Sequence, residues 1–147
     1  MTINLDVQIV SKNTEIPKVE DFEYWAKAVP SDHETSACLR VVDELEAKSL
    51  NKQFRQIDKA TNVLSFVAEI PPQIDIKFLG DIVICAQLVI KETHEQGKQS
   101  DAHWAHLLIH GLLHLQGYDH EEDQAAKEME AQEIEILSNL DISNPYN

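Results

Sequence analysis

The order of the predicted elements, β-α-β-α-β-β-α-α-α, predicts an α+β protein with one four-stranded mixed sheet covered by about five helices. Two observations support this prediction. The first half of the chain alternates strand-like runs with helical apolar stripes, and the second half holds three helical segments in succession. The length of 147 residues is close to the commonest domain size. We therefore expect residues 1–147 to form a single domain.

Four segments have the pattern of β-strands. In residues 3–9, apolar and polar side chains alternate, which is the period of a strand with one buried face. Residues 37–43, 62–68 and 78–85 are short apolar runs rich in β-branched residues. Asp81 interrupts the last of these runs. Because burying an unpaired carboxylate is unfavourable, we expect Asp81 to have a partner or to face a site.

Five segments carry apolar residues at helical spacing. They cover approximately residues 17–29, 44–56, 86–96, 102–116 and 121–140. Gly97 ends the third segment, and Ser100 or Asp101 can cap the fourth. The fourth segment is apolar all round, a pattern typical of a central, buried helix.

The helix predicted at residues 44–56 is expected to bury Ala47, Leu50 and Phe54. If it continues further, its other side gathers four of the chain's 12 basic residues: Lys48, Lys52, Arg55 and Lys59. That side is either an ordinary solvated face or a local basic patch.

The net charge of −14 argues against a protein that holds DNA, RNA or an anionic membrane by general electrostatics. A polyanionic substrate would require a local basic patch. The two cysteines form no C-x-x-C pair, which suits a reducing compartment. No apolar run is long enough to span a bilayer, and the N-terminus lacks the pattern of a signal peptide. We expect a soluble, cytoplasmic protein with no membrane partner.

Residues 110–120, HGLLHLQGYDH, contain three histidines with the spacing of a metal site. His110 and His114 would project from one face of a helix, one turn apart. A glycine readily adopts the left-handed conformation that ends a helix, so Gly117 allows the chain to turn back and bring His120 to the same point. Three imidazoles with a fourth position open are typical of catalytic zinc sites.

The spacing equals that of the metzincin zinc proteases, H-E-x-x-H-x-x-G-x-x-H. In those proteases the glutamate serves as the general base, but this chain has Gly111 at that position. We therefore predict a hydrolytic metal site that acts on a bond other than the peptide bond. The alternative is three histidines that share this spacing by coincidence.

Two other features near the motif leave alternatives open. His103 and His106 share the helical stripe of His110 and could replace His120 as ligands, although His106 and His114 lie about 12 Å apart along a straight helix. We therefore favour His120. Glu133 falls within the apolar stripe of the last helix. It is either a carboxylate that orients a ligand histidine or, as we favour, a surface residue at the edge of the stripe.

The chain resembles the YbeY family of bacterial metal-dependent endoribonucleases, which act in maturation of the 3′ end of 16S rRNA and in ribosome quality control. The resemblance covers most of the chain. It depends on HGLLHLQGYDH, SLNKQFRQIDKATNVLSF at residues 49–66, LGDIVIC at 79–85 and AHWAHLLIHG at 102–111. Many relatives have proline where this chain has Val67 and Ala86, positions that carry none of the chemistry.

The resemblance implies one Zn²⁺ per chain, held by His110, His114 and His120. It also implies a catalytic role for Arg55 and places the family's G-D pair on Gly80 and Asp81. The expected activity is cleavage of single-stranded RNA by a zinc-activated water or with zinc assistance, with precursor 16S rRNA as substrate and ribosomal small-subunit proteins as partners. Arg55 can bind phosphate through two parallel hydrogen bonds, and Asp81 and Asp119 are candidate proton acceptors. The alternatives are a metal-dependent peptidase and a non-catalytic ribosome-associated factor.

Overall fold

The computed structural model describes residues 1–146 and confirms the predicted α+β fold class. The four strands are β1 (Ile3–Ile9), β2 (Thr35–Val42), β3 (Val63–Val67) and β4 (Phe78–Cys85). The helices are α1 (Val19–Lys27), α2 (Glu44–Arg55), α3 (Ala86–Gln96), α4 (Ser100–Leu115) and α5 (Asp123–Asn139). The strands form one sheet in the order β1-β2-β4-β3. Strands β1, β2 and β4 run parallel, and β3 pairs antiparallel with β4, so the sheet is mixed and β3 lies at its edge.

The two faces of the sheet bury two separate groups of side chains. Strand β4 shows why: Ile82 and Ile84 pack in the larger cluster with α1, α4 and α5, and Val83 and Cys85 pack in the smaller one beneath α2. Alternate residues of a strand point to opposite faces. Burial on both faces therefore explains why β4 is a nearly continuous apolar run. Helix α4 lies across the larger cluster, as its all-round apolar pattern predicts.

Two glycines allow close packing around β4. Gly111 of α4 lies against Ile82, where an added Cβ would be 2.9 Å from the Ile82 Cδ1 atom. Gly80 has a φ of +145°, and a Cβ there would lie 2.2 Å from the carbonyl oxygen of Phe66 on β3. Gly111 thus allows α4 to sit directly on the sheet, and Gly80 allows β3 to pair closely with β4. A glutamate at position 111, as in the metzincins, would bring its Cβ into this close contact with Ile82.

Two sequence predictions require correction, and the open question of how far α2 extends has an answer. Phe54 is not buried beside Ala47, because 56% of its surface is exposed. Helix α2 does not reach Lys59; it ends at Arg55, and Gln56 is in the left-handed conformation. The cap of α4 is neither Ser100 nor Asp101 but the preceding residue, Gln99, whose side chain accepts a hydrogen bond from the backbone N–H of Ala102. Among the described residues, no helix is both long and apolar enough to cross a membrane.

Candidate metal centre

Helix α4 and the turn after it bring the three motif histidines together. His110 and His114 lie one turn apart on α4, as predicted. The chain then reverses through Gly117, whose φ is +100° and whose N–H donates to the carbonyl of His114 at 3.0 Å. As a result, the ring of His120 lies 4.8 Å from that of His114 and 5.5 Å from that of His110, centroid to centroid. One nitrogen from each ring lies within 4.8 Å of the others.

Hydrogen bonds on the far side of two rings determine which nitrogen faces the centre. The Nδ1 atom of His114 lies 3.0 Å from the carbonyl oxygen of Tyr118. A carbonyl only accepts, so this Nδ1 carries the proton and Nε2 keeps a lone pair. The Nδ1 atom of His110 lies 3.1 Å from a carboxylate oxygen of Glu133 and is fixed in the same way. Both rings are therefore held in the tautomer that a metal ligand requires.

The donor set could hold a metal ion. The Nε2 atom of His114 and the Nδ1 atom of His120 are 3.0 Å apart. Two ligands on a tetrahedral zinc ion, with bonds of about 2.0–2.1 Å, are separated by about 3.3 Å. Burial, and then the neighbouring His110 and His120, lower the pKa of His114. A lowered pKa keeps the imidazole neutral near pH 7, so its lone pair is available.

Glu133 is connected to the histidines more closely than its sequence pattern indicates. It is fully buried in α5, so the interpretation as a surface residue is wrong. Its carboxylate accepts hydrogen bonds from the Nε2 atom of His106 at 3.2 Å, the Nδ1 atom of His110 at 3.1 Å and the hydroxyl of Tyr146 at 2.7 Å. Burial raises the pKa of Glu133, but the three hydrogen bonds outweigh it and lower the pKa to about 2. An acidic residue inside an apolar stripe was the only sequence signal.

The other two histidines of the α4 stripe are held by carboxylates. His103 is buried, and its Nε2 atom lies 3.0 Å from Glu92, so it turns away from the motif histidines. His106 contacts Glu133, and these two residues with His110 form a second group whose ligand atoms lie within 4.8 Å of one another. Since this second group shares His110 with the three motif histidines, the two groups adjoin each other. Within residues 1–146, neither possible ligand group includes His103.

The three histidines line an open cleft of about 640 Å³, and its opposite wall is formed by the end of α2 and the edge strand β3. Arg55 lines this cleft, as do Asp119 and Ser65. The guanidinium of Arg55 donates to the carbonyl of Ser65 at 2.8 Å, which holds the side chain beside the edge of β3. The structure thus places Arg55 and the three histidines around one space, although they are 55 to 65 residues apart in sequence.

Asp81 is not part of this cleft. It is exposed on β4, and alternate residues of a strand point to opposite faces, so it lies on the face away from Gly80 and Ile82. Gly80 and Ile82 are the residues that α4 contacts. Among the acidic residues considered as proton acceptors, the structure brings Asp119, and not Asp81, to the histidines.

The fold and the site together define a class: an α+β protein in which three histidines beside an open cleft could hold a metal ion. Comparison with known families gives a more specific result. The model of a family described as Endoribonuclease YbeY matches residues 6–141, and the chain belongs to this family.

A solved structure supports the fold. The chain is similar to the solution structure of TM1509 from Thermotoga maritima, with a TM-score of 0.58 and 24% sequence identity. The alignment covers 92% of this chain and 91% of that one. The two proteins therefore share the architecture over nearly their whole lengths.

Proposed function

We propose that this protein is a metal-dependent endoribonuclease that cleaves single-stranded RNA during rRNA processing. Family membership supports the reaction class. One structural observation supports the metal dependence and the location of the reaction: three histidine nitrogens within 4.8 Å of one another lie in the same cleft as Arg55. Metal-dependent phosphodiester cleavage can use a metal ligand set and a phosphate-binding group that share one space.

In this proposal, His110, His114 and His120 hold the metal, and the zinc ligand chemistry of three imidazoles makes Zn²⁺ the expected ion. When bound, a zinc ion supplies Lewis-acid polarisation and lowers the pKa of water toward about 7. Glu133 and the carbonyl of Tyr118 keep two of these rings in the ligating tautomer. The open side of the histidine group faces the cleft, where a phosphodiester can enter.

Arg55 is proposed to bind the scissile phosphate. Its guanidinium presents several donors in a plane and can neutralise the charge that grows on the phosphoryl oxygens in the transition state. One of its N–H groups is already fixed on the Ser65 carbonyl, which orients the plane beside the cleft. Asp119 lines the cleft, where its carboxylate accepts a hydrogen bond from the backbone N–H of Glu121, and we propose it as the proton acceptor. Asp81 is exposed on β4 and is not among the residues that line the cleft.

The charge of the protein bears on the form of the substrate. A net charge of −14 weakens long-range attraction to naked RNA. We therefore propose precursor 16S rRNA in a ribosomal context as the substrate, with small-subunit proteins as partners that could supply the missing positive charge. Binding to free RNA is then expected to be weak and salt-sensitive.

The proposal is tested by measuring metal content and RNA cleavage on the same samples. Wild-type protein, purified without chelator, is expected to carry about one zinc per chain and to cleave a single-stranded oligoribonucleotide. His114→Ala is expected to lose both properties. Arg55→Lys is expected to keep the metal and to lose most of the cleavage, because lysine cannot make the bidentate contact.

The matched control is Lys91→Arg, a change of the same kind on α3, where Lys91 is exposed and pairs with Glu95. It should leave both metal content and cleavage unchanged. Equal cleavage by wild type and His114→Ala would show that the histidines are not the reaction centre. Digestion of casein without cleavage of RNA would favour the peptidase alternative instead.

A further inference from the structure

An exposed aromatic group lies beside the cleft. Phe54, near the end of α2, exposes 56% of its surface although Ala47 of the same helix is buried. Its ring packs edge to face on Phe66 of β3, with 5.2 Å between the centroids and 65° between the planes. Ile57 and Val67 next to this pair are also exposed, at 46% and 61%. Clustered exposed apolar side chains on a small protein commonly mark a binding surface.

Arg55 connects this aromatic pair to the cleft. Its guanidinium carbon lies 5.6 Å from the centroid of the Phe66 ring, within the range of a cation–π contact. The same guanidinium lines the cleft and donates to the carbonyl of Ser65. Ile57 and Val67 line the cleft as well. Neither phenylalanine lines the cleft itself, so Arg55 is the residue that connects the aromatic pair to the wall of the candidate metal centre.

The charges around the pair differ from those of the whole protein. The segment from Lys48 to Lys59 holds four of the 12 basic residues in a chain with a net charge of −14. In the described part of the chain, only Lys48 of these four has an acidic partner within 4.0 Å, namely Asp58 at 3.8 Å. Asp81 is the opposing charge: it pairs in register with Phe66 on the same face of the sheet. A carboxylate there repels phosphate but can accept a hydrogen bond from the amino group of a base.

We propose that Phe54 and Phe66 form a stacking platform for an unpaired base of the RNA substrate, next to the phosphate held by Arg55. Proteins that bind single strands combine basic residues along the backbone with aromatic rings on which bases stack, and this stacking is tolerant of sequence. Bases within a duplex already stack on their neighbours and cannot use such a ring. The platform would thus select single-stranded RNA. This inference rests on the proposed nuclease function, since it names the substrate feature recognised beside that site.

The test measures binding of a single-stranded 12-nucleotide RNA that contains one 2-aminopurine, with a blunt duplex of the same sequence as comparison. Phe54→Ala is expected to lower affinity for the single strand by about tenfold or more and to abolish the quenching of 2-aminopurine that stacking causes. Phe54→Trp is expected to retain both. Tyr24→Ala is the matched control, because Tyr24 is an aromatic residue of α1 that is 64% exposed. Affinity for the duplex should be unaffected by all three changes.

Several results would overturn the platform. One is single-strand affinity of Phe54→Ala within twofold of wild type, and another is an equal loss for single strand and duplex. A wild-type dimer that becomes monomeric in Phe54→Ala during sedimentation would assign the patch to an interface between copies. The two proposals fail separately. Stacking that depends on Phe54 in a protein without cleavage activity would refute the nuclease and keep the platform, and normal cleavage by Phe54→Ala with unchanged KM would refute the platform alone.

Discussion

Replacing Glu133 with glutamine tests how far the buried carboxylate supports the metal centre. The carboxylate accepts from three donors, on His106, His110 and Tyr146. A glutamine amide of nearly the same shape has one acceptor oxygen and two N–H donors. At least one of the three donors therefore meets another donor. If His110 responds by moving its proton to Nε2, it loses the lone pair that faces the other ligands.

The expected loss follows from these contacts. Removing a carboxylate that orients a ligand histidine typically lowers metal affinity by about 10- to 100-fold. That range corresponds to about 1.4–2.7 kcal/mol of binding free energy. In addition, leaving a buried donor without an acceptor lowers the free energy of unfolding of the metal-free protein by about 1–3 kcal/mol. Both effects should appear together, because one carboxylate serves both purposes.

The assay is competition for Zn²⁺ against a chromophoric chelator, with urea unfolding of the metal-free protein in parallel. Glu135→Gln is the matched control, since it removes the same charge from an exposed position of the same helix. It should change zinc affinity by less than twofold. Zinc affinity of Glu133→Gln within twofold of wild type would refute the orienting role. An equal loss in Glu135→Gln would show that overall charge, and not the hydrogen bond, determines affinity.

Three further predictions concern stability. The lowered pKa of Glu133 stabilises the folded state above pH about 4.5, by about 3 kcal/mol for a folded pKa of about 2. This stabilisation is lost as the pH falls from about 4.5 to about 2. In urea titrations of metal-free protein, the free energy of unfolding should therefore fall more steeply with acid in wild type than in Glu133→Gln, and parallel curves would contradict this prediction. Gly80→Ala should lower the free energy of unfolding by about 3 kcal/mol or more, since its Cβ would lie 2.2 Å from a carbonyl oxygen. Gly97→Ala should lower it by only about 1 kcal/mol, because a Cβ at Gly97 has no neighbouring atom within 4 Å. Equal losses of stability in thermal melting would contradict the packing explanation. Ile82→Val alone should lower the free energy of unfolding by about 1 kcal/mol. In a protein that also carries Gly111→Ala the loss should be clearly smaller, because Ile82→Val removes the Cδ1 atom that the methyl group introduced by Gly111→Ala would approach. Strictly additive losses in this double-mutant cycle would refute the close contact.

Local patterns predicted the elements well. The bounds of β4 and α3 are those that the apolar runs and Gly97 predict, because a strand buried on both faces and a glycine at a helix end leave clear signals. The exposure of Phe54, which helical spacing predicts to be buried, has a physical reason. Helical spacing alone does not show how much of an apolar face the sheet covers, and at the end of α2 the ring of Phe54 contacts Phe66 of β3 but stays 56% exposed.

The sequence pattern predicts the three histidines that meet at the candidate centre. The i, i+4 spacing and a glycine three residues after the second histidine constrain the backbone so strongly that the three rings can meet without help from distant segments. The family resemblance adds Arg55 to the candidate site residues. Gly111 stands where the metzincin motif carries the general base, so that base is absent here.

The surroundings of these three rings depend on the packing of distant segments and are not visible in the sequence. Glu133 is 23 residues from His110 and Tyr146 is 40 from His106, so no local pattern shows that α5 and the C-terminal residues meet the back of the histidine group. Likewise, the sequence shows Asp81 only as an unusual charge within a strand. Whether Asp81 faces the histidines depends on which side of the sheet α4 covers. Contacts between distant segments follow from the packing of whole elements, because the buried apolar area that fixes their arrangement is shared by many residues and is encoded in no single motif.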